Sequence, residues 1–430
     1  MIRSWINKIF RNEFFVNVLT LFSGSTLAQL IPFLIYPLLS RLYTPEDFGT
    51  LALFSTITSI TSVFATGKYE LAIMLPAKKA NAINITGFCI FLIAAFWVLT
   101  MIISLSFGRQ IASGLGNPEL HPWIYLIPFS IAFYSVFHVM TSILNREKHY
   151  RSMAASKVVQ SVSTSTIKLA GGFMQVGRGG LITGTVFGQM MSAGFLFHRF
   201  SQNNRRWTRL LSIKRIKEQL NKYVYFPKYT MFHVLSNSIS AGLPIFFFTR
   251  FFSTHQTGLY SMGYNITFIP LSLFAAALGQ VLYQNLSKKY NSKQNLTSLI
   301  SEATKTVFWL AIIPFTLLFI FAPWLFGFFL GAEWTTSGEY LRIILPWLFM
   351  ALLTSPLSFV PNIFGKQKMA MFIELINFVL RLGALSAGVY FDNLKLGLIL
   401  YSLSSFIVVS YFLNWYFLLT KNHDKNLLIR

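Results

Sequence analysis

The feature that most constrains this chain is a series of long apolar runs, each long enough to cross a bilayer as a helix. One helical span needs about 20 apolar residues. Runs of this length lie at roughly residues 14–37, 48–75, 82–107, 122–144, 153–175, 180–198, 229–252, 258–284, 303–326, 341–363, 369–389 and 396–419. The sequence therefore predicts an all-α polytopic membrane protein with about twelve transmembrane helices.

A basic stretch from His198 to Lys228 separates six of these runs from the other six. It contains nine lysines and arginines but only one acidic residue, Glu218. Positive charge in short connections marks the cytoplasmic face of a membrane protein, because basic segments resist translocation. We predict an N-terminal six-helix bundle in residues 1–198, a basic cytoplasmic linker in residues 199–228 and a C-terminal six-helix bundle in residues 229–430.

The formal net charge of +23 lies mainly in the connections between apolar runs, which argues against nucleic acid as a partner and for membrane lipids. Among the 36 lysines and arginines, those assigned to the periplasmic side are Arg41, Arg109, Arg178, Arg250, Arg342 and Lys395. Because only these six are assigned to the periplasmic side, the distribution of cations predicts a bacterial inner-membrane protein with both termini in the cytoplasm.

Two short patterns recur between the halves. Arg41 precedes Gly49 by the same spacing that separates Arg250 from Gly258, and a new helix follows at once in both places. In addition, Lys157, Gln160 and Thr164 share their spacing with Glu374, Asn377 and Arg381. Six predicted spans separate the matching elements, so the halves have the same orientation, and a pseudo-twofold axis along the membrane normal with a central cavity is predicted.

The polar residues of these patterns share helical faces. Lys157, Gln160, Thr164 and Lys168 lie on one arc of span five, as Glu374, Asn377 and Arg381 do on span eleven. A charge facing lipid costs about 2.5–3.5 kcal/mol on insertion scales, so we expect these side chains to face protein or water. The alternative is that Lys157 snorkels to the cytoplasmic surface and that Glu374 pairs locally with a loop lysine.

Spans one and seven each combine a polar face with a proline that permits a bend. The residues concerned are Gln29 and Pro32 in span one, and His233, Asn237 and Pro244 in span seven. Such helices suit a gate at a cavity wall. Ordinary packing between helices through small and hydroxylated residues would produce the same pattern.

Span two carries Glu70 on the same face as several hydroxyl side chains. Lys68 lies about 200° of helical rotation away, so both side chains can meet one ligand only if the helix unwinds near Gly67. We expect Glu70 to face the cavity and keep Lys68 as a further candidate. Glu70, Glu374 and His233 are the groups that could carry a coupling ion.

The sequence contains no pattern typical of a metal, nucleotide or nucleophile site, and its one cysteine, Cys89, lies in an apolar run. We therefore predict a protein that is not an enzyme and that has no cofactor or metal.

Several segments resemble the Wzx-like oligosaccharide flippases of the polysaccharide transport family, within the superfamily that also includes multidrug and toxic compound extrusion transporters. They are Pro37-Leu-Leu-Ser-Arg41, Pro45-Glu-Asp-Phe-Gly49, Lys68-Tyr-Glu-Leu-Ala-Ile-Met-Leu-Pro76, Phe226-Pro227, Leu243-Pro244, Gly258-Leu-Tyr-Ser-Met-Gly-Tyr-Asn-Ile-Thr-Phe-Ile-Pro270 and Gly279-Gln280. The resemblance implies alternating access by two bundles that move an undecaprenyl diphosphate-linked oligosaccharide to the periplasmic leaflet. It also implies a polysaccharide polymerase and a chain-length regulator as partners.

A hydrated cavity lined by cations could replace the hydration of a diphosphate and counter its charge. The candidate cations are Arg41, Lys68, Lys157, Lys168, Arg250 and Arg381, and the candidate polar or gating residues are Gln29, Pro32, Gln160, Asn237, Pro244 and Asn377. Two other functions are considered: a cation-coupled drug exporter, for which an acidic cavity would be expected, and a membrane glycan polymerase, for which a sizeable catalytic loop would be expected.

Overall fold

The computed structural model describes Ala28, residues 30–205 and residues 207–428 of the chain. Within these residues every regular element is a helix and none is a strand, so the predicted all-α class is confirmed. Ten of the described helices are long and apolar enough to cross a membrane. The protein is a multi-pass membrane protein.

The helices follow the predicted spans in order. The first seven are α1 (Leu30–Leu42), α2 (Pro45–Thr66), α3 (Lys79–Gly114), α4 (Ile127–Arg146), α5 (Tyr150–Phe173), α6 (Arg178–Asn203) and α7 (Ile213–Lys222). The others are α8 (Phe226–Phe252), α9 (Thr254–Asn291), α10 (Thr297–Leu330), α11 (Thr335–Thr354), α12 (Gln367–Tyr390) and α13 (Leu394–Leu428). Helix α7 lies in the basic linker, and each of the other twelve matches one predicted span, although the first span begins outside the described residues.

The chain folds into two compact units that divide between Gly242 and Leu243, inside α8. The linker belongs to the first unit, where Asn84 of α3 holds it. The Asn84 side chain donates to the carbonyl of Leu210 at 3.0 Å and accepts from the amide of Ser212 at 2.8 Å. The predicted bundle boundaries at residues 198 and 229 state which membrane helices belong to each half of the chain, and they stay a prediction.

Each unit starts a long helix with the same kind of cap. The Thr44 side chain accepts from the amide of Asp47 at the start of α2, and the Ser253 side chain accepts from the amide of Gln256 at the start of α9. Thr44 and Ser253 stand at the same distance after the repeated arginines of the sequence. A hydroxyl at this position satisfies an otherwise unpaired amide, which explains why a new helix follows at once in both places.

A pair of glycines brings two helices into backbone contact in each unit. A Cβ atom added at Gly171 of α5 would lie 2.6 Å from the Cα of Gly180 in α6. In the second unit, a Cβ atom added at Gly388 of α12 would also lie 2.6 Å from the Cα of Gly397 in α13. The offset between these glycine pairs equals the offset between the two polar stripes of the sequence. The internal repeat therefore extends to how neighbouring helices pack.

Candidate functional site

A buried carboxylate lies just beyond the end of α2. Glu70 is 5% exposed, accepts from the hydroxyl of Thr66 at 2.5 Å, and lies 3.3 Å from the ammonium of Lys68. The predicted helix through residue 75 is wrong beyond Thr66. Gly67 and Lys68 both have left-handed backbone angles, φ +56° and +63°, and turn the chain into a short 3₁₀ helix, Tyr69–Met74. The turn places Lys68 beside Glu70, although a continuous helix would hold them on different faces.

His138 of α4 is a further polar group within a membrane-spanning helix and was missed by sequence reasoning. The ring of Tyr134, one helical turn earlier, has its centre 4.5 Å from that of His138. The His138 side chain is exposed and that of Lys157 is half-buried. An imidazole in the middle of an apolar run was the signal that could have identified it.

The polar stripe of α5 packs partly against α6. A Cβ atom at Gly188 would lie 1.9 Å from the Thr164 hydroxyl oxygen, and one at Gly184 would lie 2.7 Å from Cγ of Lys168. Glycines at these two positions therefore make room for Thr164 and for the stem of Lys168. Gln160 is half-buried on the same stripe. That the stripe also lines a cavity stays a prediction.

Tyr43, in the turn between α1 and α2, fixes this part of α5. Its side chain is 2% exposed, and its hydroxyl donates to the backbone carbonyl of Lys168 at 2.5 Å. Burial, with a smaller contribution from the nearby charge of Asp47, raises the pKa of Tyr43 to about 12. The hydroxyl therefore stays protonated at neutral pH and remains a donor.

In the second unit a cation is enclosed by aromatic rings. Arg381 of α12 is 8% exposed, and its Nε donates to the hydroxyl of Ser405 in α13 at 2.8 Å. Its guanidinium carbon lies 5.1 Å from the ring centre of Trp347 and 5.1 Å from that of Tyr401. Such cation–π contacts contribute about 0.5–1 kcal/mol each at exposed sites and about 2 kcal/mol when desolvated. They hold the guanidinium inside the protein and away from lipid.

The α12 stripe contains two further polar residues, Glu374 and Asn377. Asn377 is 2% exposed, and its amide donates to the carboxylate of Glu374 at 3.1 Å. The side-chain carbonyl oxygen of Asn377 is buried and has no hydrogen-bond partner. The structure thus pairs Asn377 with Glu374 and leaves one acceptor over for a donor such as water.

A ladder of aromatic side chains on α9 also reaches this region and was not selected from the sequence. Tyr260 stacks on Tyr264 with ring centres 5.9 Å apart, and Tyr264 stacks on Phe268 at 4.8 Å. Tyr264 also stacks on Trp347 at 6.3 Å. Phe268 borders a cavity of 380 Å³ between α9 and α11. The spacing of one aromatic residue per helical turn was the signal available in the sequence.

The remaining predicted residues lie on α1 and α8. Arg41 and Arg250 are exposed near the ends of these helices, and Pro32 is half-buried. Pro244 is buried inside α8, whereas His233 and Asn237 are exposed. Gln29 lies outside the described residues. The predicted roles of these residues stay predictions.

A family model described as a polysaccharide biosynthesis protein matches residues 38–339. The chain belongs to this family. Two members of the wider set of relatives are similar over most of their length. An uncharacterized membrane protein of Haemophilus influenzae is 25% identical over 396 residues, which cover 86% of this chain and 89% of the relative. The succinoglycan biosynthesis transport protein ExoT of Rhizobium meliloti is 20% identical over 362 residues, which cover 83% of this chain and 71% of the relative.

Solved structures give the fold of this family member. An inward-facing multidrug resistance MATE family transporter of the MOP superfamily matches with a TM-score of 0.72 and 16% identity, covering 93% of this chain and 96% of that structure. An outward-facing structure with the same description matches with a TM-score of 0.65 and 13% identity, covering 95% and 96%. At this level of identity the likeness concerns the fold alone. The resemblance to a polysaccharide family, expected from the sequence, is confirmed by the family match, and the solved structures confirm the fold.

Proposed function

We propose that this protein is a flippase that moves an undecaprenyl diphosphate-linked oligosaccharide from the cytoplasmic to the periplasmic leaflet for O-antigen or capsule synthesis. The proposed mechanism is alternating access, and no covalent chemistry on the substrate is required. The protein would act in the bacterial inner membrane with both termini in the cytoplasm. A polysaccharide polymerase and a chain-length regulator are the proposed partners.

The observation that carries the proposal is Arg381, a cation held by aromatic rings inside a membrane-spanning unit, in a chain of a polysaccharide biosynthesis family. A buried charge in a membrane protein is costly and marks a functional pathway more often than a purely structural pair. Sugars and diphosphates need hydrogen-bond donors and positive charge to leave water. Arg381, Lys68 and Lys157 supply both, and the aromatic ladder of α9 supplies flat apolar faces of the kind on which sugar rings pack.

Coupling to an ion is part of the proposal. Glu70 is the favoured carrier, because its carboxylate is buried and held by both a hydroxyl and an ammonium. Protonation would cancel the attraction between Glu70 and Lys68, which is a local change that a transporter can use to bias two conformations. Glu374 is the second candidate, and His233 is the third.

Cation-coupled drug export is the alternative that an observation favours, since the solved structures of similar fold include multidrug transporters. The charges of the two polar clusters argue against drug export. Lys68 pairs with Glu70 in the first unit, and Arg381 lies on the same helix as Glu374 in the second. Positively charged drugs would bind better to an excess of carboxylates.

The proposal is tested by following the lipid-linked glycan in a strain that lacks the gene. In spheroplasts, a membrane-impermeant lectin should no longer reach the glycan, although the total amount of lipid-linked glycan stays the same or rises. Re-expression of the wild-type protein should restore access, and an Arg381→Gln variant should not. Lys395→Gln is the matched control, because Lys395 forms an exposed pair with Glu339 at 2.8 Å.

Two results would contradict the proposal. Unpolymerised glycan already at the outer leaflet of the deletion strain would indicate a polymerase. Normal glycan export combined with increased sensitivity to cationic drugs would indicate a drug exporter.

A further inference from the structure

We infer that a groove on the second unit binds an anionic phospholipid of the bilayer, with its phosphate on Arg342 and one acyl chain along the groove. The groove lies between α10, α11 and α13 and has a volume of 420 Å³. Its lining is apolar apart from Arg342 and Ser402. The site is separate from the proposed transport of a glycan and does not depend on it.

Arg342 carries a positive charge that no carboxylate pairs with in the part of the chain that the structure describes. Its Nε and Nη2 donate to the backbone carbonyls of Phe319 and Ile320 in α10. Glu339, one turn earlier on α11, is instead engaged by Lys395 of α13 at 2.8 Å. The two carbonyls occupy only part of the guanidinium's donor capacity and leave its charge without a counter-ion. An anion is therefore the missing partner at this place.

The height of Arg342 along its helix fits the headgroup region of a membrane. Arg342 follows the first residue of α11 by about two turns, and Gly338, one turn before it, lies against the backbone of Pro323 in α10. Next to that contact, Trp324 is exposed, and its ring stacks on Phe328 with centres 5.4 Å apart. Exposed tryptophans are enriched where hydrocarbon gives way to headgroups. At this height a guanidinium is costly beside acyl chains, and a phosphate is the anion that the bilayer offers.

The groove also has room for an acyl chain. Ile399, Leu403 and Phe406 follow one another along α13 at helical spacing, so this wall of the groove runs along the helix. The side chains of Phe319, Ile399 and Leu403 are exposed. A concave apolar surface next to a cation matches one phospholipid molecule better than it matches a water-soluble anion.

Ser402 supplies a second polar group. Its side chain is 4% exposed and lines the groove, and none of the described residues hydrogen-bonds to its hydroxyl. A buried hydroxyl without a partner costs free energy unless a ligand or water supplies one. The ester carbonyls of a phospholipid are acceptors a few atoms from its phosphate, so one molecule can satisfy Arg342 and Ser402 together.

Carbonyl pairing alone does not account for the groove. Pro323 has no N–H, so the carbonyl of Phe319 needs a donor, and Arg342 supplies one. A neutral donor would serve that purpose without bringing an uncompensated charge into the membrane. The groove is also distinct from the site around Arg381, because Arg342 and Trp347 are about 140° of helical rotation apart and lie on different sides of α11.

Equilibrium binding to the purified, delipidated full-length protein in detergent tests the site, with native mass spectrometry as the readout. The probes are phosphatidylglycerol, diacylglycerol with the same acyl chains, and inorganic phosphate. We expect the wild-type protein to bind phosphatidylglycerol about 10-fold more tightly than diacylglycerol, because only the first carries a phosphate. Inorganic phosphate should not displace the bound lipid, since it lacks the acyl chain.

The double variant Arg342→Gln/Pro323→Ala removes the charge and keeps the helix paired, because the new N–H at residue 323 can bond to the carbonyl of Phe319. It should weaken phosphatidylglycerol binding about 10-fold and leave diacylglycerol binding unchanged. Pro323→Ala alone should bind both lipids as the wild-type protein does. Arg109→Gln is the matched control for charge, since Arg109 is an exposed arginine of the first unit.

A second variant tests the apolar part of the groove without touching the charge. Leu403→Trp fills the groove and should weaken the binding of both lipids. Leu418→Trp is its matched control, because Leu418 is an exposed leucine of the same helix outside the groove.

Three results would overturn the site. Wild-type binding by the double variant would show that Arg342 does not hold the phosphate. Equal binding of phosphatidylglycerol and diacylglycerol, or displacement by inorganic phosphate, would exclude a phospholipid site in the groove. An equal loss of binding in Arg109→Gln would indicate a general attraction between the lipid and surface cations.

Discussion

Arg342 of α11 donates from Nε to the backbone carbonyl of Phe319 in α10, at 2.7 Å. Pro323, four residues after Phe319, has no N–H, so this carbonyl lacks the donor that a regular helix would supply. The same guanidinium also donates to the carbonyl of Ile320. In a membrane an unpaired carbonyl costs several kcal/mol, and Arg342 avoids that cost at the proline of α10.

Removing this side chain should therefore destabilise the second unit. We expect Arg342→Met to lower the free energy of unfolding by about 1–3 kcal/mol, because it leaves the backbone carbonyl of Phe319 without a donor. Thermal unfolding of the purified protein in detergent measures the change. In a Pro323→Ala background the loss should be smaller, since the new N–H can pair with Phe319. Equal losses in both backgrounds would contradict the explanation.

The glycine contacts allow a matched comparison between the two units. Gly171→Ala and Gly388→Ala should each destabilise the protein by about 1–3 kcal/mol, because the added methyl group would meet backbone atoms that cannot move aside. Gly383→Ala on α12 is the control: nothing lies within 4 Å of its added Cβ atom. Its unfolding temperature should stay the same or rise slightly, since alanine favours helix. A similar loss at Gly383 would show that the effect is not one of close packing.

Glycan export should depend on both the charge and the planar shape of the Arg381 side chain. Arg381→Met removes the cation, and Arg381→Lys keeps the charge but loses the planar group that faces Trp347 and Tyr401. We expect about a 10-fold decrease in glycan export for the first variant and an intermediate decrease for the second, from the one or two kcal/mol that such contacts contribute. Export is measured as periplasmic glycan per amount of protein in the membrane. Wild-type export by Arg381→Lys would show that charge alone is sufficient.

Asp424, near the end of α13, caps the start of α10. Its carboxylate oxygens accept from the amides of Leu296 and Thr297, at 2.9 Å each, and the N-cap residue of α10 has no side-chain cap of its own. Asp424→Ala should destabilise this helix end by about 0.5–2 kcal/mol. Hydrogen exchange of the amides at residues 296–300 should become faster. Unchanged exchange there would mean that the cap is not needed.

The outline of the fold could be predicted from the sequence, because apolar length and the distribution of cations depend on the bilayer more than on neighbouring helices. Twelve described helices match the predicted spans, and the repeat found at Arg41 and Arg250 corresponds to equivalent helix caps. On the α12 stripe, Asn377 bonds to Glu374, and Asn377 and Arg381 are both buried, in keeping with their helical spacing.

The candidate site could be predicted only in part. Helical spacing put Lys68 and Glu70 on different faces, because it assumed that α2 continues beyond Thr66. His138 and Trp347 were missed, and Trp347 is relevant only through its contact with Arg381, which lies far away in the chain.

The sequence by itself determined the all-α membrane class of the protein, the order of its helices and the family, since these follow from local apolar length and from short motifs. Only the tertiary structure decided which charges meet. The left-handed turn at Gly67 and Lys68 sets the partner of Glu70, and the packing of α11 and α13 around α12 encloses Arg381. The physical reason is that the energy of a buried charge depends on its neighbours in space, which a linear pattern of residues does not specify.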